Sequence, residues 1–490
     1  FNTSVFKTTC DCNYYFCSDF ESVKIVKVFI CTMPDSNKKY LNLGNEYPFM
    51  VFEKYHIYKN INSLKVQFVF NLADKIKFSP EFYIEDISNI NDLPDSLLNN
   101  LVFHIGMVEL ISYWKAACPP VLIVKPFVLN DYAVAWWRKL FFYGLGEFFY
   151  TNKIEPDFNH FLEIRNKNDQ TFEKQQVSLD NSVLIPVGGG KDSAVTLSVL
   201  SNLEMPLIPF YLNPVQAAIN VVQKAGIEKN ALFVKRTIDP ELLKMNEAGF
   251  LNGHTPFSAL LAFYSLLSAT LRKTRYIALS NESSANEPTI PGTGINHQYS
   301  KSYGFEKDFI EYCRKNISDD FNYFSFLRPL NELQIAGLFS GFSQYHSVFR
   351  SCNAGSKQGI WCGKCSKCLF TFIILSAFLD TEELIKIFGS NLLDDNELLF
   401  YFDQLCGIED GKPFECVGTL DEVNTALHMA VNKYEENNIP VLLRHYMNSN
   451  KYSKIEYRSA ERLLPQFNEQ HFLEEPFLSL LKKILYGTDF

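Results

Sequence analysis

Short apolar runs separated by turn residues mark the first part of the chain and predict a β-meander. Within 47–87, runs rich in Val, Phe, Ile and Tyr, such as LKVQFVF, are interrupted by LADK and FSP, which is typical of strands joined by turns. From Leu97 the apolar period becomes helical and ends at Pro119. The next run, VLIV, is predicted to be a strand, and AVAWWRKLFFYGLGEFFY is predicted to be a mostly buried helix. The polar stretch 163–176 is predicted to separate two domains.

Apolar strands alternate with amphipathic helices beyond this polar stretch. The segment VLIPV precedes AVTLSVLSNL, LIPFYL precedes PVQAAINVVQKAG, ALFVKR precedes PFSALLAFYSLLSATLRK, and RYIALS follows. Near-continuous apolar strands separated by helices are typical of a parallel sheet that is covered on both faces. The predicted fold class is therefore α/β, with a parallel sheet and helices on both of its faces. From about residue 305 the pattern becomes largely helical.

The composition favours a soluble, cytoplasmic protein. Hydrophobic residues make up 47% and charged residues 21% of the 490-residue chain, and no apolar run reaches the roughly 18 residues that a membrane span requires. Acidic residues outnumber basic ones by 55 to 46, which gives a formal net charge of -9. Because proteins that bind nucleic acid carry a basic surface, this balance disfavours a polynucleotide partner.

Three consecutive glycines follow the strand VLIPV, in the segment LIPVGGGKDSAVTLSVL. The spacing of Val195 and Val199 predicts a helix that begins near Ser193, so the glycines form a strand-to-helix turn. Such a turn directs free N–H groups and the positive helix end to one point, where bare backbone lets a phosphate approach. The Walker pattern fails because Ile185 stands where it needs glycine and Asp192 where it needs Ser or Thr. An ordinary glycine-rich turn is the alternative.

The remaining pattern, two glycines, any residue, then Asp and Ser after a strand, resembles the pyrophosphate loop of the N-type ATP pyrophosphatases, which cleave ATP to AMP and pyrophosphate. The resemblance implies that the backbone of Gly189 and Gly190 and the Ser193 hydroxyl cradle pyrophosphate, while Asp192 helps to hold Mg²⁺. Gly188 stands where that family normally has serine. The candidate nucleotide-binding residues are Gly188, Gly189, Gly190, Lys191, Asp192 and Ser193.

Four cysteines crowd into the segment SCNAGSKQGIWCGKCSKC. Two-residue gaps between the last three let thiolates meet one tetrahedral ion at about 2.3 Å, and Lys357, Lys364 and Lys367 would offset the excess negative charge. We predict a structural Zn²⁺ site, because such spacing in a large unsecreted enzyme favours metal over disulfides. The arrangement resembles the zinc site of the deazaguanine nitrile synthases; an iron–sulfur cluster, as in some RNA thiolases of the same fold, and unligated cysteines are the alternatives. The predicted ligands are Cys352, Cys362, Cys365 and Cys368.

Two polar loops between the glycines and the cysteines carry candidate catalytic groups. In NGHTPFSALLAF, His254 precedes a helix whose N-cap is predicted to be Thr255 and whose first residue is predicted to be Pro256. This position favours a neutral imidazole. Because ligands of open parallel sheets bind beyond the carboxyl ends of the strands, both loops are expected at the site, although a solvated polar surface is the alternative. The segments YIALSNESSANEP and INHQYSKSYGFE carry Glu282, Asn286, His297, Tyr299, Lys301 and Glu306.

The run 111–429 as a whole resembles one family, the UDP-N-acetylmuramoyl-L-alanyl-L-glutamate epimerases of bacterial wall synthesis. The motifs that carry the resemblance are, in order, SYWKAACPP, GLGEFF, IPVGGGKDS, NGHTPFSA, LSNESSAN, NHQYSKS, LRPLNEL, SCN, WCGKCSKC, IFGSNLLDD and ECVGT. The resemblance implies an isomerase that uses ATP and Mg²⁺ to invert the terminal L-glutamate of the UDP-linked muramoyl dipeptide in peptidoglycan precursor synthesis. It further implies that adenylation of the carboxylate, with loss of pyrophosphate into the glycine loop, acidifies the α-hydrogen.

The chain is expected to divide into four parts. Residues 46–170 are predicted to form an α+β domain, and 171–304 an ATP pyrophosphatase-type α/β domain of the adenine nucleotide alpha hydrolase kind. Residues 305–490 are predicted to be a mostly helical region with the four-cysteine site. The first 45 residues stay unassigned and are expected to be flexible.

Inversion needs proton donors or acceptors on opposite faces of the α-carbon. We predict that His254 and either Glu282 or His297 act in proton transfer, and that Lys301 stabilises anionic oxygens; the sequence leaves the choice of pair open. The full set of candidates is His254, Glu282, His297, Tyr299 and Lys301, with Cys118 added by analogy to thiol-based racemases.

Two other functions are compatible with these motifs. A deazaguanine- or tRNA-modifying ATP pyrophosphatase would adenylate its substrate for attack by nitrogen or sulfur, and the cysteine pattern is compatible with deazaguanine. The acidic balance and the lack of a basic stretch argue against tRNA. A nucleotide-binding regulator would sense ATP without consuming it. We therefore expect the UDP-linked muramoyl dipeptide as the partner, and neither membrane nor nucleic acid; the oligomeric state stays open.

Overall fold

The computed structural model describes residues 35–88, 90–287, 295–454 and 459–487, so the predicted flexibility of 1–34 falls outside the described residues. The strands are β1 (Phe49–Lys59), β2 (Leu64–Leu72), β3 (Ile76–Phe78), β4 (Glu81–Ile84), β5 (Val121–Val124), β6 (Glu163–Asn166), β7 (Asp180–Pro186), β8 (Leu207–Leu212), β9 (Leu232–Thr237), β10 (Thr274–Leu279) and β11 (Asn322–Ser325). They form one sheet in the order β11-β10-β7-β8-β9-β4-β2-β1-β5-β6, with β3 paired to β2.

Helices cover both faces of this sheet and make up most of the chain after β11. None of the helices in the described ranges combines the length and apolar character that a bilayer crossing requires. The helices are α1 (Asp35–Glu46), α2 (Asp95–Trp114), α3 (Asp131–Gly144), α4 (Gly146–Thr151), α5 (Lys191–Leu200), α6 (Gln216–Ala225), α7 (Pro240–Glu247), α8 (Phe257–Leu271), α9 (Tyr303–Asn316), α10 (Glu332–Ser340), α11 (Ser366–Ser376), α12 (Thr381–Phe388), α13 (Leu399–Cys406), α14 (Leu420–Val431), α15 (Val441–Met447), α16 (Asn450–Lys454), α17 (Ser459–Leu463) and α18 (Phe477–Tyr486).

The predicted meander is confirmed as the antiparallel part of the sheet, where β1 pairs with β2 and β2 pairs with β4. Strand β4 also pairs antiparallel with β9 and so joins the meander to the parallel strands. The polar stretch predicted as a domain boundary contains β6, which lies parallel to β5; its polar residues did not indicate a strand because an edge strand buries little. The predicted division of the chain into four parts stays a prediction.

One predicted helix is interrupted. The segment 133–150 was expected to be continuous, but α3 ends at Gly144 and α4 begins at Gly146. Leu145 between them has φ -101° and ψ 13°, outside the helical range. Glycine on each side lowers the cost of leaving the helical conformation. The break places Glu147 in the first turn of α4, which becomes important at the site.

The parallel strands create the position where a ligand is expected. The chain runs from β7 to β8 and β9 on one side of β7, and then places β10 and β11 on its other side. The carboxyl ends of β7 and β10 are therefore neighbours at a topological switch point. Leu184 belongs to one hydrophobic core and Val183 and Ile185 to the other, because successive side chains of a strand point to opposite faces. The sheet is thus covered on both faces, as predicted, although it is mixed rather than wholly parallel.

Close packing of α2 on the meander gives a test of this fold. A Cβ at Gly106 would lie 2.4 Å from Cζ of Phe52 and 2.9 Å from Cδ1 of Phe68, so we expect Gly106→Ala to lower the free energy of unfolding by about 1–3 kcal/mol. Gly304→Ala is the control, because Gly304 is exposed in α9 and its nearest neighbour is 3.8 Å away. This control should be neutral or slightly stabilising. Urea unfolding followed by circular dichroism measures both, and equal stability of the two variants would contradict the packing.

Candidate active site

The glycine loop connects β7 to α5, as predicted, and it lies at the switch point of the sheet. Gly189 has φ +85°, and a Cβ there would lie 2.4 Å from the backbone nitrogen of Ala218. No residue other than glycine fits without moving the backbone of α6. Gly188 is exposed, and a Cβ there would meet nothing within 4 Å. The loop therefore presents bare backbone to open space on one side while its other side is packed against α6.

Helix α5 begins two residues earlier than predicted, with Gly190 as its N-cap. The Ser193 hydroxyl donates to the Gly190 carbonyl at 3.0 Å and accepts from the Gly189 N–H at 3.2 Å. In this structure the Ser193 hydroxyl therefore stabilises the conformation of the glycine loop. Its predicted contact with pyrophosphate stays a prediction.

Lys191, which belongs to the predicted nucleotide-binding residues, lies inside the protein. Its Nζ contacts the carboxylates of Asp192 and Glu332, and its side chain is only 3% exposed. Burial lowers the pKa of Lys191, but the two carboxylates outweigh this effect and raise it overall. The Lys191 side chain therefore holds the loop to α10, and the charge that remains accessible beside the loop is that of Asp192, whose side chain is 30% exposed.

A buried arginine joins the loops that follow β10. Arg328 donates to the backbone carbonyl of Glu282 at 2.7 Å and to that of Lys301. Its charge is balanced by Glu306, at 2.9 Å, which also accepts from the N–H and hydroxyl of Ser325 at the end of β11. Arg328 thus fixes Glu282 and Lys301 relative to the sheet, and Glu306 proves to be its partner.

Two predicted histidines converge on Glu147. Nδ1 of His254 lies 3.1 Å from Oε2 of Glu147, and Nδ1 of His297 contacts the same oxygen. The ring centroids of the two histidines are 4.7 Å apart. The predicted N-cap Thr255 is wrong, because α8 begins at Phe257 with Pro256 as its cap. The Thr255 hydroxyl instead accepts a hydrogen bond from Lys115 at 2.9 Å.

The pKa values of the two histidines move in opposite directions. Burial and the neighbouring His297 lower the pKa of His254 to about 4, so the predicted neutral imidazole is confirmed, with burial as the main cause. Burial also acts to lower the pKa of His297, but hydrogen bonds to Cys416 and Glu147 raise it to about 9. At neutral pH His254 can accept a proton while His297 can donate one.

Cys416 completes this cluster. Lys301 donates from Nζ to Sγ of Cys416 at 3.1 Å, and the ring of His297 also hydrogen-bonds to the thiol. Burial acts to raise the pKa of Cys416, but Lys301, His297 and Lys367 together lower it to about 6. The structure therefore pairs a thiolate with two cations beside the predicted catalytic groups.

The other two candidates do not join this cluster. Cys118 is buried, its thiol donates to the Lys115 carbonyl at 3.4 Å, and burial raises its pKa well above the usual range. The ring of Tyr299 stacks on Tyr143 at 5.4 Å, and burial raises its pKa. The thiol that contacts His297 is Cys416, not Cys118.

The residues that the sequence reasoning missed are Glu147, Arg328 and Cys416. They lie in the motifs GLGEFF, LRPLNEL and ECVGT, which carried the family resemblance but had been given no chemical role. The sequence contained three signals of these residues. They are a glutamate that follows a pair of glycines, an arginine in an otherwise apolar segment, and a cysteine outside the predicted ligand cluster.

The four predicted metal ligands come together in one cluster. Sulfur–sulfur distances are 3.9 Å for Cys352–Cys365, 3.7 Å for Cys362–Cys368 and 3.5 Å for Cys365–Cys368. Four bonds of about 2.3 Å to one tetrahedral ion place sulfurs about 3.8 Å apart, so the geometry fits a single ion. In a [4Fe–4S] cluster each thiolate binds a different iron, which holds the four sulfurs farther apart.

The cysteine cluster is linked to the site through Lys367. Cys365 caps α11, accepting from the Cys368 N–H at 3.5 Å, and Lys367 in the first turn of this helix donates to the backbone carbonyl of Cys416. Lys364 forms an exposed pair with Glu397, and the side chain of Lys357 lies outside the described residues. Of the three predicted lysines, Lys367 is the one that connects the four-cysteine cluster to the backbone of Cys416.

The role of Lys191 can be tested by stability. Lys191→Met leaves Asp192 and Glu332 facing each other without the cation, and we expect a loss of about 3–5 kcal/mol in the free energy of unfolding, because an uncompensated buried charge is costly. The double variant Lys191→Met, Glu332→Leu should recover most of that loss. Chemical denaturation measures both, and a stable single variant with a raised KM for ATP would instead place the Lys191 amine on the nucleotide.

Comparison with known proteins identifies the family. A family model described as MurL N-terminal domain matches residues 43–326, and one described as MurL C-terminal domain matches 348–460. Three proteins named UDP-N-acetyl-alpha-D-muramoyl-L-alanyl-L-glutamate epimerase are similar to this chain. The protein from Xanthomonas oryzae pv. oryzae is 33% identical over 68% of this chain and 74% of its own length. The proteins from Micromonospora sp. and Salinispora tropica are 34% and 36% identical, over 72% and 65% of this chain and 79% and 70% of their own lengths. The glycine loop, the histidine–thiol cluster and the four cysteines all lie within the matched ranges, and the chain therefore belongs to the MurL family.

Proposed function

We propose that this protein is an epimerase that inverts the terminal L-glutamate of UDP-N-acetylmuramoyl-L-alanyl-L-glutamate to D-glutamate in peptidoglycan precursor synthesis. The observation that carries the proposal is the convergence of proton-transfer groups at the carboxyl edge of the sheet. His254, His297, Cys416 and Lys301 lie within one hydrogen-bonded cluster there, and Lys301 also interacts with Asp192 of the glycine loop. The names of the three relatives support the same substrate and reaction.

The reaction requires activation of the glutamate carboxyl. A carboxylate stabilises a carbanion at its own α-carbon poorly, because the product is a dianion, whereas a mixed anhydride with AMP withdraws electrons as an ester does. We therefore propose adenylation of the carboxyl, with ATP consumed to AMP and pyrophosphate and the adenylate hydrolysed after inversion. The open backbone at Gly188 supports a pyrophosphate site, as does the position of the loop at the switch point of the sheet.

Three side chains near the loop suit the charges of this step. The accessible carboxylate of Asp192 is the kind of oxygen ligand that Mg²⁺ prefers, and Mg²⁺ bound there would neutralise phosphate charge. Lys301 is positioned to stabilise anionic oxygens of the activated carboxyl, since its Nζ is held between Cys416 and the charges of Glu282 and Asp192. We also propose Ser193 as a pyrophosphate ligand, because the loop resembles the pyrophosphate loop of the N-type ATP pyrophosphatases.

The histidines suit opposite roles in proton transfer. His254 is neutral at neutral pH because its pKa is about 4, and His297 carries a proton because its pKa is about 9. Inversion needs one group that takes a proton and one that gives a proton, and the cluster contains groups in both of these protonation states. Glu282 is 4% exposed and accepts from the Ser284 hydroxyl at 3.2 Å. We propose that Glu282 sets the charge around Lys301 rather than moving the proton itself.

A direct assay tests the proposed function. The full chain is incubated with the UDP-linked L-glutamate dipeptide, ATP and Mg²⁺, and the glutamate released by hydrolysis is analysed on a chiral column. We expect D-glutamate together with AMP and pyrophosphate, and neither product when ATP is omitted. Formation of AMP with tRNA or a deazaguanine, but not with the dipeptide, would favour the alternative ATP pyrophosphatase.

A variant of the glycine loop tests whether this loop binds the leaving pyrophosphate. Gly189→Ala forces a Cβ to 2.4 Å from the Ala218 nitrogen, so the loop must shift and pyrophosphate release should fall by about 100-fold or more, as when a transition-state hydrogen-bond donor is lost. Gly304→Ala is the control and should keep wild-type activity. Equal activity of the Gly189 variant would mean that the loop does not hold the leaving group.

We also propose that the four cysteines hold one structural Zn²⁺. Elemental analysis of the colourless protein should give one zinc per chain, and Cys365→Ser should lose the zinc and unfold at a lower temperature, because the metal stabilises the start of α11. Cys406→Ala is the control, since Cys406 is buried outside the ligand set, and it should keep its zinc. Bound iron with visible absorption would overturn the assignment in favour of an iron–sulfur cluster.

A further inference from the structure

Cys416 lies on a segment that is fixed from several sides. Lys367 holds its carbonyl, and Asn353, next to the ligand Cys352, donates to the carboxylate of Glu415 at 2.6 Å. The N-cap of α14 follows immediately, where Thr419 and Glu422 form a capping box. The thiol therefore has a defined position between the metal site and the sheet.

We propose that the Cys416 thiolate is one of the two groups that move the α-proton of the activated glutamate. This assignment rests on the proposed epimerase function and names a catalytic residue for it. The support is geometric. The sulfur lies 3.1 Å from Nζ of Lys301 and is hydrogen-bonded to His297, which in turn contacts Glu147 beside His254.

Accessibility separates Cys416 from the other thiols. It is partly exposed, whereas Cys118, Cys313 and Cys406 are buried, and the remaining described cysteines belong to the metal cluster.

The charges around the sulfur favour the thiolate. His297 and Lys301 contact it directly, Lys367 faces it from α11, and Glu147 and Glu415 are the nearby carboxylates. The resulting pKa of about 6 lies close to neutral pH, where a general base combines a high fraction of the basic form with adequate proton affinity.

The proton transfer balances without any further reagent. The α-C–H bond breaks as an S–H bond forms on Cys416, and the electron pair moves into the activated carboxyl as an enolate. An acid on the opposite face of the carbon then delivers a proton to give the inverted centre. Exchange with water, through the adjacent His297, returns Cys416 to the thiolate.

Solvent exchange of the α-hydrogen tests the proposal. Wild type and the variants Cys416→Ala and Cys416→Ser are incubated with the dipeptide and ATP in D₂O, and α-deuterium, D-glutamate and pyrophosphate are measured separately. We expect both variants to lose inversion by about 10²–10⁴-fold, the range for removal of a general base. Substrate-dependent pyrophosphate release should persist within a few-fold, because adenylation does not need this thiol. Cys406→Ala should match wild type in all three.

Alkylation gives a second readout, and its measurement on the wild-type protein does not depend on the folding of a variant. Iodoacetamide should modify Cys416 with a rate that is half-maximal near pH 6, and Lys301→Met should move that midpoint towards the pH of an ordinary thiol, about 8.5. Bound dipeptide should protect the sulfur. Mass spectrometry of the digested protein identifies the modified residue.

Three results would overturn the assignment. They are inversion by either Cys416 variant within a few-fold of wild type, an alkylation midpoint at the ordinary thiol value, and a glutamyl thioester on Cys416 in acid-quenched wild type, which would make the thiol a nucleophile instead. Failure of the proposed function itself is recognised separately, because wild type would then show neither inversion nor dipeptide-dependent pyrophosphate.

Discussion

The buried ion pair between Lys191 and Glu332 holds the glycine loop to the helical half of the molecule. Lys191 begins α5, directly after the loop, and Glu332 begins α10, with both side chains almost fully enclosed. The Glu332 N–H donates in turn to Glu422 of α14 at 2.8 Å. Because unpaired buried charges are costly, the amino ends of three helices must stay together, and this constraint sets the distance between the loop and the segment that carries Cys416.

The charges that surround each group explain how one cluster holds groups of opposite protonation state. His254 and His297 share one carboxylate oxygen of Glu147, yet their pKa values are about 4 and about 9. The difference arises because His297 also meets the Cys416 thiolate, while His254 meets the positive charge of His297. A neutral base, a cationic acid and an anionic thiol can thus coexist at neutral pH within a few ångströms.

The four-cysteine cluster contributes to the site through position rather than chemistry. It fixes the first turn of α11, and that turn carries Lys367 to the backbone of Cys416. Arg328 plays a comparable part on the other side, where it ties the backbone of Glu282 and Lys301 to the end of β11. The four-cysteine cluster and the buried arginine therefore hold the segments that carry Cys416 and Lys301, and a change in either should move Lys301 relative to Cys416.

The sequence by itself determined the features that local physics controls. Strand and helix periods predicted the meander, the alternating α/β segment and the helical end. A glycine run after an apolar strand predicted the loop, and closely spaced cysteines predicted the four-cysteine cluster, because turn conformation and the approach of nearby side chains depend on neighbouring residues. Tertiary structure alone decided that β6 extends the sheet, that Lys191 faces Glu332, that Glu147 meets both histidines and that Cys416 meets His297. The contacts of Lys191, Glu147 and Cys416 join residues more than 100 positions apart, and no local period or spacing specifies which distant partner a charged side chain will meet once it is buried.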